Sequence, residues 1–199
     1  LETSVAATKS YLATLAALAR FVAAWTDDAR FGAQIESLPS LMEAGWSLDW
    51  SPALSVLRSA AHLYVVGRGL GLGAAQEIAL KCKETCGLHA EAFSSAEVRH
   101  GPFTLLGPGF PALLLAQNDA TRPGVAALAA ELAQRGVDVL AAGVGTGDGA
   151  MVLPTLDAPP ELGPILQVQS AYRLLASLSI QRGFDPDHPA HLRKVTETV

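Results

Sequence analysis

Three charged side chains near the middle of the chain have types and a spacing that suit acid–base chemistry. Glu77, Lys81 and Glu84 stand at positions i, i+4 and i+7, so they share one face if this stretch is helical. A carboxylate can act as a general base, and a neighbouring lysine can keep it ionised or bind an oxyanion. On an ordinary surface helix the same triplet would be a solvated salt-bridge ladder, with about 0.2 to 0.5 kcal/mol per pair.

Two further candidates lie nearer the C-terminus. Glu97 and His100 are three residues apart, directly before Gly101 and Pro102, where a short helix capped by a preceding serine would end. A histidine can transfer protons near neutral pH, although an isolated histidine is more often structural. Lys194 lies in a polar tail; it is either an ordinary exposed lysine or, if the tail covers a pocket, an amine that forms an imine with a substrate carbonyl. We predict no metal site and no cofactor, because one Glu with one His does not make a metal site.

A glycine-rich loop from Gly67 to Gly73 is the last candidate. Gly67 and Gly69 are predicted substrate contacts, because glycines let the backbone approach a ligand and aim its amides at an anion. Gly69, Gly71 and Ala74 also satisfy the permissive dinucleotide pattern G-x-G-x-x-A. A tight strand-to-helix turn explains the same glycines, so a nicotinamide or flavin enzyme is the least favoured hypothesis.

The elements around these residues alternate between strands and helices. Amphipathic spacing predicts helices over 5–25, 29–43, 52–59, 123–134 and 162–181, the first capped by Thr3 or Ser4, and one more after the glycine loop. Short apolar runs predict strands at 62–66, 111–116, 137–142 and 151–153. We expect an α/β fold, a doubly wound parallel sheet flanked by helices, with ligands at the carboxyl ends of the strands. The predicted boundaries are N-terminal helices over 1–60, the α/β domain over 61–182 and an irregular tail over 183–199.

Composition narrows the class of protein. The chain has 199 residues, 50% of them hydrophobic and 17% charged, which fits one ordered domain. Its net charge of -5 argues against nucleic acid as a partner, and its apolar stretches are too short or too interrupted to cross a bilayer. Cys82 and Cys86, four residues apart, are expected to be reduced thiols in the core. Together with the absence of a recognisable signal peptide, they predict a cytoplasmic protein.

Six short segments follow one another along the chain: VAATK at 5–9, GRG at 67–69, E-x-x-x-K-x-K-E at 77–84, HAEAF at 89–93, E-x-x-HGP at 97–102 and L-x-KVT at 192–196. Their order and spacing resemble the sugar isomerase (SIS) domain family. The resemblance is to the second SIS domain of the glucosamine-6-phosphate synthase isomerase module and of related phosphosugar isomerases and deaminases. It implies a five-stranded parallel sheet, two SIS domains in tandem and a homodimer.

The resemblance also implies a role for each candidate side chain. Glu84 matches the base that moves a proton between C1 and C2 of the open-chain sugar phosphate, and Lys81 matches the lysine that supports this enediolate chemistry. His100 matches the ring-opening histidine, which in the synthase reaches the site from the partner subunit. Lys194 matches the tail lysine that forms an imine with the ketose. Glu77 matches a glutamate beside the site, for which we predict only a role in positioning Lys81.

Two departures from the family pattern affect the substrate. Val5 and Ala7 match the segment that borders the sugar pocket, but the synthase pattern V-A-S-T-K has serine where this chain has Ala7. In the relatives, Ser- and Thr-rich loops of the first SIS domain cradle the phosphate, and this sequence has no counterpart of those loops. We therefore expect a first SIS domain elsewhere in the same polypeptide, with a hexose 6-phosphate bound between the two.

Three functions remain in view. The leading hypothesis is a phosphosugar isomerase/deaminase that converts glucosamine 6-phosphate to fructose 6-phosphate and ammonia through an enediol. The first alternative is the isomerase half of a glutamine-fructose-6-phosphate aminotransferase. The second is a non-catalytic SIS domain that binds a sugar phosphate for regulation, which has no need of Glu84, His100 and Lys194 together.

Overall fold

The structure, a computed structural model, describes residues 2–145 and 149–194. Its centre is a five-stranded parallel sheet in the order β2-β1-β3-β4-β5. The strands are β1 His62–Gly67, β2 His89–Ser94, β3 Ala112–Leu115, β4 Val139–Ala142 and β5 Met151–Leu153. In the middle of β1, Val65 pairs with Ala92 on one side and Leu113 on the other. Because β1 is followed by β2 on one side and by β3 on the other, the sheet is doubly wound, as predicted.

Helices cover both faces of this sheet. They are α1 Lys9–Trp25, α2 Ala29–Glu36, α3 Leu38–Gly45, α4 Leu54–Leu57, α5 Leu70–Cys86, α6 Arg122–Gln134 and α7 Gly163–Gln181. Side chains alternate along each strand, so Val65 and Leu113 pack with α5 and α7, whereas Val66 and Leu114 pack with α6. The three central strands, β1, β3 and β4, are buried on both faces, which explains their near-continuous apolar sequences.

The start of α1 differs from the prediction. The helix begins at Lys9 instead of Val5, and neither Thr3 nor Ser4 is its N-cap. Instead, the carboxylate of Glu2 accepts hydrogen bonds from the backbone amides of residues 8–10, which the helix itself leaves without partners. Residues 4–8 are therefore an irregular segment in front of the helix.

The prediction of a single helix over 29–43 is also wrong, because the structure has two helices there, α2 and α3, separated by Ser37. Pro39 explains the break: a proline is tolerated in the first turn of a helix but not in its interior. The helix predicted over 52–59 is shorter than expected, a 3₁₀ turn followed by the four residues of α4.

The C-terminal tail, the two cysteines and the apolar content of the helices complete the description of the fold. The tail carries no helix or strand from Arg182 to Lys194, and the predicted tail residues 195–199 lie outside the described part of the chain. Cys82 and Cys86 are both free and buried, and burial raises the pKa of both thiols above its ordinary range. Among helices of the described residues, none is long and apolar enough to span a membrane.

Candidate active site

The three charged residues of α5 meet in a buried ion cluster. Lys81 Nζ lies 2.7 Å from Glu84 Oε2 and 3.2 Å from Glu77 Oε1. The side chains of Lys81 and Glu77 are only 5% and 8% exposed, whereas that of Glu84 is 25% exposed. This burial contradicts the solvated ladder, because removing an ion from water costs several kcal/mol unless it is paired. We call Glu77, Lys81 and Glu84 the α5 cluster.

A tyrosine from α7 completes the α5 cluster. The hydroxyl of Tyr172 donates a 2.6 Å hydrogen bond to Glu77 Oε1, the same oxygen that faces Lys81. Burial, then the hydrogen bond to Glu77, raises the pKa of Tyr172 above its usual range, so the phenol is a neutral donor. Sequence reasoning missed this residue. The available signal was a tyrosine on the buried side of α7, whose hydroxyl needs a partner when it is covered.

Small side chains allow α5 and α7 to approach each other. Ala75, Ala79 and Cys82 of α5 belong to the same core as Ala171 and Leu175 of α7. The helices therefore pack closely along their length, which brings Tyr172 within reach of Glu77 across 95 positions of sequence. Packing of the two apolar stripes thus positions the polar groups beside them.

A pocket of about 700 Å³ opens beside the α5 cluster. Its wall includes Lys81 and Thr85 of α5 and Tyr172 of α7. The segment before α1 contributes Ser4, Ala6 and Thr8, and the tail contributes Pro186 and Asp187. We call this the Lys81 pocket; its volume lies within the usual range for small-molecule sites.

The N-terminal segment and the tail are held together at the edge of the Lys81 pocket. Ser4 Oγ donates to Asp187 Oδ1 at 2.6 Å, and the amide of Val5 donates to the Asp187 carbonyl at 3.2 Å. Lys194 Nζ donates to the Ser4 carbonyl at 2.7 Å. We call these contacts the clasp. It brings Val5 and Lys194, both predicted site residues, next to the pocket; Ala7 is exposed between two residues that line it.

His100 is not part of this arrangement. It is exposed and follows a 3₁₀ turn, Glu97–Arg99, at the place where a short helix was predicted. Within the described residues, no hydrogen bond or ion pair joins its side chain to the α5 cluster or to Lys194. The same residues contain no group of three or more His, Cys, Asp or Glu side chains that could hold a metal ion.

Gly67 and Gly69 lie at the carboxyl end of β1, away from the α5 cluster. Glu77 comes eight residues after Gly69 along α5, which corresponds to about 12 Å at 1.5 Å per residue. Packing explains the first glycine, because a Cβ on Gly67 would lie 2.3 Å from the carbonyl oxygen of Gly71. The second adopts a φ of +55°, which favours glycine.

The loops after β1 and β3 form a crevice that the chain fills with its own polar groups. Gln117 Nε2 donates to the Arg68 carbonyl at 2.9 Å and to Asp119 Oδ2 at 2.7 Å. Asp119 Oδ1 accepts from the amide and the hydroxyl of Thr121 at 2.8 and 2.6 Å. Burial raises the pKa of Asp119, but the hydrogen bonds from Thr121 and Gln117 lower it by more, so that the net pKa lies below its ordinary value. A carboxylate therefore already occupies the start of α6, where a phosphate could otherwise bind.

A second cavity, of about 430 Å³, lies beside this crevice at the carboxyl ends of β3 and β4. Its charged lining groups are Arg122 and Asp157, neither of which is buried. The side-chain amide oxygens (Oε1) of Gln117 and Gln167, two other lining residues, are buried without a hydrogen-bond partner in the described structure. This cavity offers no buried acid–base pair, so the Lys81 pocket is the better candidate for chemistry.

Known proteins resemble this chain in sequence. Residues 56–142 match the SIS domain family. A glutamine–fructose-6-phosphate aminotransferase [isomerizing] from Aeropyrum pernix is 39% identical over 156 residues, covering 74% of this chain and 24% of the relative. The protein of that name from Pyrobaculum aerophilum is 33% identical over 213 residues, covering 100% of this chain and 35% of the relative. The chain therefore spans only about a third or less of these curated relatives.

Solved structures resemble it in fold. A protein assigned as a phosphosugar isomerase from Silicibacter pomeroyi has a TM-score of 0.87 at 36% identity, over 94% of this chain and 57% of that one. The C-terminal domain of glucosamine-fructose-6-phosphate aminotransferase from Francisella tularensis has a TM-score of 0.87 at 26% identity, over 95% and 58%. Glucosamine-6-phosphate deaminase from Thermotoga maritima has a TM-score of 0.75 at 25% identity, over 98% and 58%. The five-stranded parallel sheet, the ordered motifs and these matches agree, and the chain belongs to the SIS domain family.

Proposed function

We propose that this chain supplies the acid–base groups of a phosphosugar isomerase/deaminase that acts on glucosamine 6-phosphate. The observation that carries the proposal is the α5 cluster: an ion pair of buried Lys81 with a partly exposed carboxylate, beside a pocket of suitable size. The names of its relatives, which include phosphosugar isomerases, a deaminase and the isomerase-bearing aminotransferases, support the same class of substrate.

Glu84 is the proposed base. It is the most exposed member of the α5 cluster, so a substrate can reach it, and Lys81 stabilises its carboxylate form. Glu84 removes the proton from C2 of the open-chain sugar and returns it to C1. A second proton passes from the C2 nitrogen to O1, so that the C1 aldehyde becomes a primary alcohol and the amine at C2 becomes an imine. A positioned base of this kind contributes about 10² to 10⁴-fold to the rate.

Lys194 is the proposed group for the second step. Its amine attacks C2 of the imine, ammonia leaves, and water then hydrolyses the lysine imine to give the ketone of fructose 6-phosphate and the free lysine. For this reaction Lys194 must leave the Ser4 carbonyl and lose a proton. The irregular structure of the tail fits such a movement, because residues 185–194 belong to no helix or strand.

Two further parts of the site are proposed to come from a second copy of this chain and from another domain of the same polypeptide. We propose that His100 opens the sugar ring in the partner subunit of a homodimer, which agrees with its exposure and its separation from the α5 cluster. We propose that a first SIS domain in the same polypeptide binds the phosphate. The carboxylate of Asp119 in the crevice supports this, as does coverage of only 57% and 58% of the first two solved relatives.

We also propose a cytoplasmic location, which the free, buried thiols of Cys82 and Cys86 fit.

The second candidate function is the isomerase half of a glutamine-fructose-6-phosphate aminotransferase. It is favoured by one observation, that the curated relatives bear this name and are about three to four times as long as the part matched here. The isomerisation step would use the same groups, but the ammonia would come from glutamine. A regulatory SIS domain would instead bind the sugar phosphate without proton exchange at C1 or C2.

The test uses the polypeptide that contains these residues, with glucosamine 6-phosphate in deuterated water. We expect ammonia and fructose 6-phosphate to be released and deuterium to enter the sugar. Glu84→Gln should lower both by at least about 100-fold, the lower end of what a general base contributes. Glu91→Gln, which changes an exposed carboxylate on β2, is the matched control and should stay within about twofold.

Each outcome decides between the candidates. Unchanged turnover in Glu84→Gln would overturn the assignment of the base. Formation of glucosamine 6-phosphate from fructose 6-phosphate only when glutamine is supplied would identify the aminotransferase. Binding of fructose 6-phosphate without any deuterium exchange would identify a regulatory domain.

A further inference from the structure

We infer that Tyr172 is a positioning residue of the α5 cluster, whose phenol satisfies Glu77 so that Lys81 is directed toward Glu84. The inference rests on the proposed function for its kinetic consequences, but its structural consequence can be measured without activity. Tyr172 reaches the α5 cluster from α7, which is otherwise an apolar packing partner of α5.

The asymmetry of the α5 cluster is the first argument. Lys81 Nζ lies 2.7 Å from Glu84 but 3.2 Å from Glu77, although Glu77 is the more buried carboxylate. Attraction between charges is stronger where water is excluded, so Glu77 alone would be expected to hold the ammonium group more closely. Another hydrogen-bond donor must therefore bind the Glu77 carboxylate and weaken its attraction for Lys81.

Tyr172 is that donor. Its 2.6 Å hydrogen bond ends on Oε1, the oxygen of Glu77 that faces Lys81, and within the described structure the side chain of Glu77 accepts no other hydrogen bond from an uncharged group. The high pKa of Tyr172, raised by burial and then by this hydrogen bond, keeps the phenol protonated wherever the enzyme would work. Loss of the hydroxyl would leave Lys81 as the sole donor to Glu77 and draw it away from Glu84.

Other charged or titratable groups also surround the α5 cluster. They are Glu2 and Lys9 at the start of the chain, Tyr11 of α1, Arg173 of α7 and Asp187 of the tail. Tyr11 most resembles Tyr172, because burial and then the negative charge of Glu77 raise the pKa of its phenol as well. Its hydroxyl, however, donates to the Gly73 carbonyl at 3.4 Å and not to Glu77. Tyr11→Phe is therefore a matched control for Tyr172→Phe.

The experiment compares these two variants in the polypeptide that contains this chain. For Tyr172→Phe we expect kcat to fall about 10-fold with KM within about twofold, since Lys81 is drawn away from the base while the phenol itself does not bind the substrate. Tyr11→Phe should match the unmodified protein in both.

A mutant cycle tests whether Tyr172 acts through Glu77. In a Glu77→Gln background, Tyr172→Phe should lower kcat by less than about twofold, because the carboxylate that competes for Lys81 is gone. An equal 10-fold loss in both backgrounds would overturn the inference, as would a change confined to KM, which would make the phenol a wall of the pocket.

The readout without activity is the side-chain NH₃⁺ signal of Lys81 in ¹⁵N-labelled protein, assigned by its loss in Lys81→Arg. Tyr172→Phe should shift this signal and Tyr11→Phe should not. A Lys81 signal that Tyr172→Phe leaves unmoved would refute the positioning role. If Glu84→Gln retained full activity while the Lys81 signal still shifted, the proposed function would fail and the positioning role would stand.

Discussion

The α5 cluster and the crevice after β1 and β3 are both polar, but only one of them has a charged group left to react. In the crevice, both oxygens of the Asp119 carboxylate are hydrogen-bonded, one to Gln117 and the other to Thr121. In the α5 cluster, Glu84 is paired on one oxygen and remains partly exposed, and its partner Lys81 lines a 700 Å³ pocket. The fold class would place a ligand in the crevice, yet the groups suited to chemistry lie in the helix layer. Which polar groups are already satisfied is therefore a better guide to the site than the strand order.

The largest expected effect tests the α5 cluster. Lys81→Met would leave two carboxylates without their shared cation, one of them buried, and should lower the free energy of unfolding by about 3 to 5 kcal/mol. Urea denaturation measures the change. Lys83→Met, on the exposed side of the same helix, is the matched control and should stay within about 0.5 kcal/mol. Equal stability of the two variants would mean that the ions of the α5 cluster are not desolvated, which would remove the contrast with the crevice.

The next effect tests whether the crevice is closed by packing. Gly67→Ala would place a Cβ 2.3 Å from the Gly71 carbonyl oxygen and should cost about 2 to 3 kcal/mol of unfolding free energy. Gly73→Ala, in the first turns of α5 and with no atom within 4 Å of the added Cβ, should be neutral or stabilise by up to about 1 kcal/mol. A tolerated Gly67→Ala would show that the first turn of α5 can move and that the crevice can open.

The smallest effect concerns the carboxylate in the crevice. Asp119→Asn should cost about 1 kcal/mol at pH 7, because it removes the charge from a helix cap and weakens its hydrogen bonds. The pKa of Asp119 is depressed in the folded state, so its contribution is present at neutral pH and is lost as the carboxylate protonates. The stability gap between the two proteins should therefore close below about pH 4. A gap that persisted in acid would show that the charge of Asp119 is not what holds the loop; Asp157→Asn, at an exposed carboxylate on the same edge, should show no gap at either pH.

The spacing of Glu77, Lys81 and Glu84 could be read from the sequence, but their burial could not. Helical periodicity shows that the three share a face, yet it does not say which element covers that face. The covering residue, Tyr172, lies 95 positions from Glu77, and only the packing of α7 on α5 brings it there. Long-range packing, not local pattern, separates a surface salt bridge from the α5 cluster.

The missed elements have local explanations. Each of the four predicted strands has a short apolar run, whereas β2 carries the exposed Glu91 and two alanines, so no apolar run marked it. Its place was implied only by the family resemblance. The early part of α1 was misjudged because a remote carboxylate, Glu2, caps the helix from outside the usual N-cap position.

The clasp joins two segments that are far apart in the sequence, and this separation affects when it can form during folding. Ser4 and Asp187 are 183 positions apart, so bringing them together in an unfolded chain would cost about 5 kcal/mol of loop-closure entropy. Once the sheet and its helices have formed, only the short segments on either side need to be ordered. We therefore expect the clasp to form late and to open readily, so the Val5 amide should exchange with solvent by local opening. Entry to the Lys81 pocket then requires the release of a few hydrogen bonds, while the core of the domain stays folded.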